Sequence, residues 1–230
     1  MRIESPSAIN AQLPLRILAL SDLHSDESLL GRIPACIDRV KPDAVLVLGD
    51  ITTRGPLSYA EDALAALSQP GIPLYALFGN MDTPDVRELL GTKGIGIHLR
   101  RVGLEGGWGL VGFGGSRTSI GTPSEFPEDK IYSGLAGMGI GAKTILATHS
   151  PPYGADGLDS PREGVHAGST AIRRIIEERQ PALNLCGHIH ETEGEATIGR
   201  TLIAKVGAAQ DGRAALVETG RKIKVGFIDI

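Results

Sequence analysis

Five short apolar runs, each closing on a polar residue or a glycine just before one, constrain the fold more than any other feature of this chain. They are LRILALS (15–21), DAVLVLG (43–49), PLYALFG (73–79), KTILATH (143–149) and ALNLCG (182–187). A strand with one wet face alternates apolar and polar residues, whereas a nearly continuous run marks a strand covered on both faces. Helical signals separate the first three runs. Leu29, Ile33 and Ile37 recur at helical spacing from about Glu27 to Val40, and a second helix over roughly 57–68 ends at Pro70-Gly71. Thr83-Pro84 opens a third, with Pro84 suited to the first helical position. Strand–helix–strand order of this kind predicts an α/β fold with a largely parallel sheet.

The pattern changes over about 94–127, where short strands and glycine-rich turns such as GGWGLVGFGG are expected. The glycines at 103–115 are read as turns between strands. A phosphate loop would need a Gly-Lys-Ser/Thr ending and a helix directly after it. Further on, Ser169 is placed to cap a helix, TAIRRIIEERQ, whose Ile172, Ile175 and Ile176 form one apolar stripe. The tail, from GEATIG to KIKVGFIDI, reads as a β-meander. Without repeats, low-complexity tracts or linkers, a single domain over 1–230 is expected.

Composition excludes several alternatives. A net charge of −4 argues against nucleic acid as a partner, since binding a phosphate backbone needs a basic surface. Cys36 and Cys186 sit inside apolar runs and read as small buried hydrophobes, with nothing pointing to an oxidising compartment. The stretch around Arg2 has no apolar core of leader length, and no segment approaches the roughly 18 apolar residues of a membrane span. A cytoplasmic location without membrane contact is expected, and a homo-oligomer remains open.

The ends of the five runs carry the chemistry. The first delivers Asp22 and His24, the second Asp50, the third Asn80, the fourth His149, and the fifth His188 and His190. Carboxyl ends of parallel strands share one edge of an open sheet, where such folds bind ligands. Residues two apart in an extended segment point the same way, so each close pair is expected to converge. A lone Asp after a strand is usually a turn residue and a lone His is usually satisfied by backbone, but seven ligand-type residues at five strand ends exceed coincidence. Their oxygens and imidazoles are too many for one tetrahedral zinc and suit two ions sharing a carboxylate. Such paired ions, about 3.5–4 Å apart, clamp in-line displacement at phosphorus.

The blocks SDLH, GD, GNMD, THSPP and GHIH, spanning 21–190, resemble the calcineurin-like metallophosphoesterases in order and approximate spacing. GDITTRG, THSPPYG, HAGS and CGHIHE are similar to the small Icc-related members. The resemblance implies a four-layer α/β/β/α sandwich of two mixed sheets. It implies that Asp22, His24 and His190 hold one metal, Asn80, His149 and His188 the other, and that Asp50 bridges them. Asp50, Asn80 and His149 then belong to the catalytic centre. The implied cofactors are two divalent ions, Mn²⁺ first, with Fe, Zn²⁺ and Ni²⁺ as alternatives the ligand set does not separate. The implied activity is hydrolysis of a small phosphate ester, plausibly a nucleotide, by metal-bound hydroxide. A nucleotide- or metal-binding regulator with weak turnover is the rival reading.

One residue departs from the pattern. Many relatives place a proton-donating His after the GN asparagine, and here that residue is Met81, although Asp82, expected to steady such a His, is retained. The connections 115–135 and 153–168 are expected to border the substrate, since loops of that length are usually functional or disordered. His166, just before the helix capped by Ser169, is a candidate catalytic residue near the metals. Its plain alternative is a surface His capping its own loop.

Overall fold

The computed structural model of the chain describes residues 14–230, and the stretch around Arg2 lies outside the described residues. Strand β1 (Arg16–Leu20) is followed by helix α1 (Leu29–Val40), β2 (Ala44–Val47), α2 (Leu57–Leu67), β3 (Leu74–Ala76) and α3 (Pro84–Thr92). Next come β4 (Arg101–Gly103), β5 (Gly109–Phe113), β6 (Ser116–Arg117), β7 (Glu125–Phe126) and α4 (Glu128–Ala136). The order then runs β8 (Thr144–Thr148), α5 (Thr170–Arg179), β9 (Leu183–Cys186), β10 (Gly194–Ile198), β11 (Thr201–Lys205), β12 (Arg213–Glu218) and β13 (Lys224–Asp229). No helix among the described residues is long and apolar enough to cross a membrane.

The nearly continuous apolar runs are explained by what covers each strand. Side chains alternate across a strand, so one run feeds two cores. In β1, Ile17 and Ala19 face the second sheet, while Leu18 and Leu20 face α1 to α3. β2 repeats this, with Leu46 turned to the opposing sheet and Val45 and Val47 to the helices. In β8, Ile145 and Ala147 join the central core, and Leu146 packs under α4 and α5. A fully buried side chain of this kind contributes roughly 1.5–3 kcal/mol relative to exposure. The outcome is four layers, helices outside and two sheets between.

The first sheet has the order β13-β12-β1-β2-β3 and the second β10-β11-β9-β8-β5-β4. Parallel pairing holds β1, β2 and β3 together in one, and β5, β8, β9 and β11 in the other. This corrects the expectation of one open sheet with all five runs on one edge, since three runs lie in the first sheet and two in the second. The tail is likewise not one meander. β10 and β11 form a hairpin whose second strand runs parallel to β9, and after a short turn β12 crosses to pair antiparallel with β1. Each hairpin reads alike locally, and only the free edge it finds decides its sheet.

Helix α4 was not expected, because its stretch lies between better signals. Its Ile131 and Leu135, one turn apart, are buried against α5. The Ser169 cap forms as expected, its Oγ accepting from Ile172 N at 3.2 Å. Glu128 of α4 adds a second cap, its carboxylate accepting from Thr170 N at 3.0 Å, Ala171 N at 2.9 Å and Ser169 Oγ at 2.6 Å. Negative charge at a helix N-terminus is favourable, so Glu128 ties the two helices by electrostatics as well as packing. Cys36 and Cys186 are free and buried, as read.

Candidate metal centre

The carboxyl ends of β1, β2 and β3 meet those of β8 and β9 where the two sheets share an edge, and the ligand-type residues converge there. They do not converge by extended geometry. Asp22, His24 and Asp50 have φ of 59°, 50° and 50°, and His188 has 75°. The period-two argument for each pair is thereby corrected, because the backbone turns left-handed at these residues. Each such residue costs of order 1–3 kcal/mol and persists only where surrounding structure over-determines it. Here the first loop is bonded to the second: Asp22 N donates to Gly49 O at 2.9 Å, and Leu23 N and His24 N donate to Asp50 O at 2.9 and 3.0 Å.

Two groups result, Asp22 with His24 and His190, and Asp50 with His149 and His188. In the first, His24 Nε2 and His190 Nε2 face each other at 3.0 Å, with Asp22 Oδ1 at 3.4 Å from His190 Nε2 and 3.8 Å from His24 Nε2. In the second, His149 Nε2 lies 3.4 Å from Asp50 Oδ2 and 2.9 Å from Asn80 Oδ1. Asp50 Oδ2 is also 3.6 Å from His24 Nε2, so this carboxylate stands between the groups. Its other oxygen accepts from Met81 N at 2.7 Å, and Asp22 Oδ2 accepts from His188 N at 2.9 Å.

Glycines before Asn80 and His188 allow this crowding. A Cβ at Gly79 would overlap Asp50 Oδ1 and lie 2.6 Å from Asp50 Cγ, and one at Gly187 would overlap Ser21 Oγ and lie 2.7 Å from Asp22 Oδ2. The "GN" and "GH" pairs are therefore steric requirements of the site.

The donor set fits divalent cations. Asp22 Oδ1 is buried and makes no hydrogen bond, an arrangement that is costly unless a cation compensates it. Carboxylate oxygen, amide oxygen and imidazole nitrogen, without thiolate, suit borderline and hard ions. Charges within the site bias protonation strongly. Burial opposes ionisation of Asp22, yet His190, 3.4 Å from its Oδ1, and the charge of His149 hold it well below the usual carboxylate range. Burial also disfavours charge on His149, but the Asp50 carboxylate prevails and raises it to about 9. His188 is pushed down to about 4 by burial and then by the charge of His149.

The remaining expected residues fall as follows. Asn80 joins the second group through His149, and its Nδ2 donates to Thr122 Oγ1 at 3.2 Å, which anchors the 118–125 loop beside the site. His166 belongs to neither group. Its Nδ1 pairs with buried Asp159 at 2.9 Å, and its ring lies 5.0 Å from that of Tyr153. Asp82 does not serve position 81. Its oxygens accept from Thr52 N at 2.7 Å, Thr52 Oγ1 at 3.0 Å, Ile51 N at 3.1 Å and Gly79 N at 2.8 Å, so it knots together the loops that carry Asp50 and Asn80. Four donors exhaust the capacity of a carboxylate, which leaves none for an imidazole. Sequence reading missed Thr53, whose Oγ1 lies 2.8 Å from His24 Nδ1, and Gln210, whose amide lies 3.1 Å from His190 Nδ1. Thr53 could have been suspected from its place three residues after Asp50, but nothing near Gln210 signals a site.

Two mixed sheets face to face, with histidine and carboxylate clusters at their joint edge, define the metallophosphoesterase class of folds. The Calcineurin-like phosphoesterase family model matches residues 15–192, and the chain belongs to that family. The uncharacterized protein MJ1162 of Methanocaldococcus jannaschii is 34% identical over 197 residues, 82% of this chain and 86% of that protein. Among solved structures, TT1561 of Thermus thermophilus superposes with a TM-score of 0.70 at 18% identity, covering 93% of this chain and 98% of that one. A dimetal phosphatase from Danio rerio superposes with a TM-score of 0.63 at 12% identity, covering 94% and 99%.

Proposed function

We propose that the chain is a metal-dependent hydrolase of small phosphate esters, a phosphodiesterase or phosphatase with a dinuclear centre. Asp22, His24 and His190 hold one ion, Asn80, His149 and His188 the other, and Asp50 serves both. The observation that carries this reading is the position of Asp50 Oδ2, 3.6 Å from His24 Nε2 of one group and 3.4 Å from His149 Nε2 of the other. Bound there, a pair of divalent ions supplies Lewis acidity toward phosphorus and brings the pKa of water to about 7. The protein's own share is orientation. Met81 N fixes the unshared oxygen of Asp50, and Leu48 O fixes the proton of His149 on Nδ1 at 3.1 Å. Mn²⁺ is the ion expected, and the dimetal phosphatase of Danio rerio, similar in fold, supports the two-ion stoichiometry. Nucleotides are plausible substrates.

Met81 favours a second reading, because a thioether cannot donate a proton to a leaving group. A nucleotide- or metal-binding regulator with weak turnover would tolerate that loss. Assaying bis-aryl and mono-aryl phosphate esters with added Mn²⁺, for the native chain and Asp50→Asn, separates the two. Hydrolysis by the native chain that falls by orders of magnitude in the variant, together with loss of bound Mn²⁺, supports the enzyme. Near-normal turnover in Asp50→Asn with two ions still bound would show the ligand assignment to be wrong.

A further inference from the structure

Each imidazole that turns Nε2 toward the centre needs something at Nδ1 to hold its orientation, and His149, His24 and His190 are held differently. His149 Nδ1 meets a backbone carbonyl, Leu48 O, at 3.1 Å. A carbonyl only accepts, so this ring is locked with its proton on Nδ1 by a group no side-chain substitution removes. His24 Nδ1 meets the Thr53 hydroxyl, and His190 Nδ1 meets the Gln210 amide, at 2.8 and 3.1 Å. Gln210 comes from the short turn after β11, a part of the chain outside every motif that supplies a ligand. It is seated by its own backbone, with Ala209 N donating to Ser21 O at 2.7 Å and Gln210 N to Asp22 O at 3.2 Å. That turn therefore grips the loop carrying Asp22 while its Gln210 side chain reaches His190.

We propose that Gln210 is a positioning residue for His190, setting the affinity of the Asp22, His24 and His190 group for its ion independently of the other group. The inference rests on reading these groups as metal sites. A cation on His190 Nε2 requires the proton on Nδ1, and that proton needs an acceptor. The Gln210 amide presents its nitrogen in the structure and, after a half-turn of its terminal torsion, its oxygen. One residue thus serves either tautomer of His190. His190 needs such a holder more than its counterpart, since its side chain is 31% exposed and that of His149 is fully buried. Outer partners of this type typically change metal affinity about 10–100-fold when removed.

Equilibrium Mn²⁺ titration against a competing chelator tests this without relying on turnover. Gln210→Ala should weaken one of the two ions about 10–100-fold and leave the other within about threefold. Gln210→Glu, a permanent acceptor for Nδ1–H, should hold that ion at least as tightly as the native chain. In a His190→Ala background, Gln210→Ala should have no further effect, because contacting residues couple and independent ones add. Gln210→Ala binding both ions like the native chain, or weakening both alike, overturns the proposal. If Gln210→Ala does not fold, Gln210→Glu decides alone, and weakened binding of either ion then overturns it. A native chain that binds no Mn²⁺ sinks the metal reading itself, an outcome distinct from two ions bound with no response to Gln210.

Discussion

Replacing Gly79 by alanine adds one methyl group against the Asp50 carboxylate, at a crowded point of the candidate centre. The new Cβ would overlap Asp50 Oδ1 and Asp50 N and lie 2.6 Å from Asp50 Cγ, whereas ordinary contact begins at 3.4 Å. Neither the Asp50 backbone nor its carboxylate can swing aside, because Asp50 O accepts from Leu23 N and His24 N, and Asp50 Oδ1 is bonded to Met81 N. Relief requires moving the Asp50 carboxylate by about 1 Å, and a misplacement of that size costs about 100-fold in rate. That corresponds to about 3 kcal/mol of transition-state stabilisation. Overpacking should also lower stability by about 1–3 kcal/mol, or roughly 2–12 °C in melting temperature for a chain of this size. The assay is kcat/KM on an aryl phosphate ester across Mn²⁺ concentration, with bound Mn²⁺ counted and thermal unfolding run alongside. Gly91→Ala is the control, since Gly91 lies in α3 with nothing within 4 Å of its Cβ position and should be neutral or stabilising by about 0.5–1 kcal/mol. If Gly79→Ala keeps both ions and kcat/KM within about threefold, the close approach of residue 79 to Asp50 does not shape the site.

Two further outcomes follow from His98 and from Met81. His98 stacks among Phe78, Phe113 and Phe126 and accepts from Gly114 N at 3.0 Å, and burial, then the charge of Arg87, lowers its pKa from 6.5 to about 4. The unfolded chain therefore binds this proton first, so stability should fall as pH drops from 6.5 toward 4, by about 3 kcal/mol at about 1.4 kcal/mol per unit, and His98→Gln should flatten that part of a denaturant-derived stability profile. At position 81, a thioether predicts a preference for acidic leaving groups, and since Asp82 is fully bonded, Met81→His should give no gain specific to alkyl esters. A tenfold alkyl-selective rise in kcat/KM would show that an imidazole there finds another orienting group.

Local rules made much of the molecule legible from the residues alone. The first three strands and helices, the cap at Ser169, Pro84 in the first turn of its helix, and the seven ligand-type residues all depend on short-range periodicity, turn chemistry and the habit of α/β strands to place function at their carboxyl ends. What sequence could not contain was the partnering of edges. The hairpins β10–β11 and β12–β13 read alike and join different sheets, because β9 offers a free edge to one and β1 to the other. Asp82 looked like a partner for residue 81, and only packing showed its four acceptor positions filled by Ile51, Thr52 and Gly79. Gln210 reaches His190 because a turn after β11 docks on the end of β1, a contact between segments far apart in the chain. Strands and ligand-type residues are properties of a few neighbouring residues and can be read in order. The partners of those side chains are chosen by which surfaces close on one another, and only the folded chain decides that.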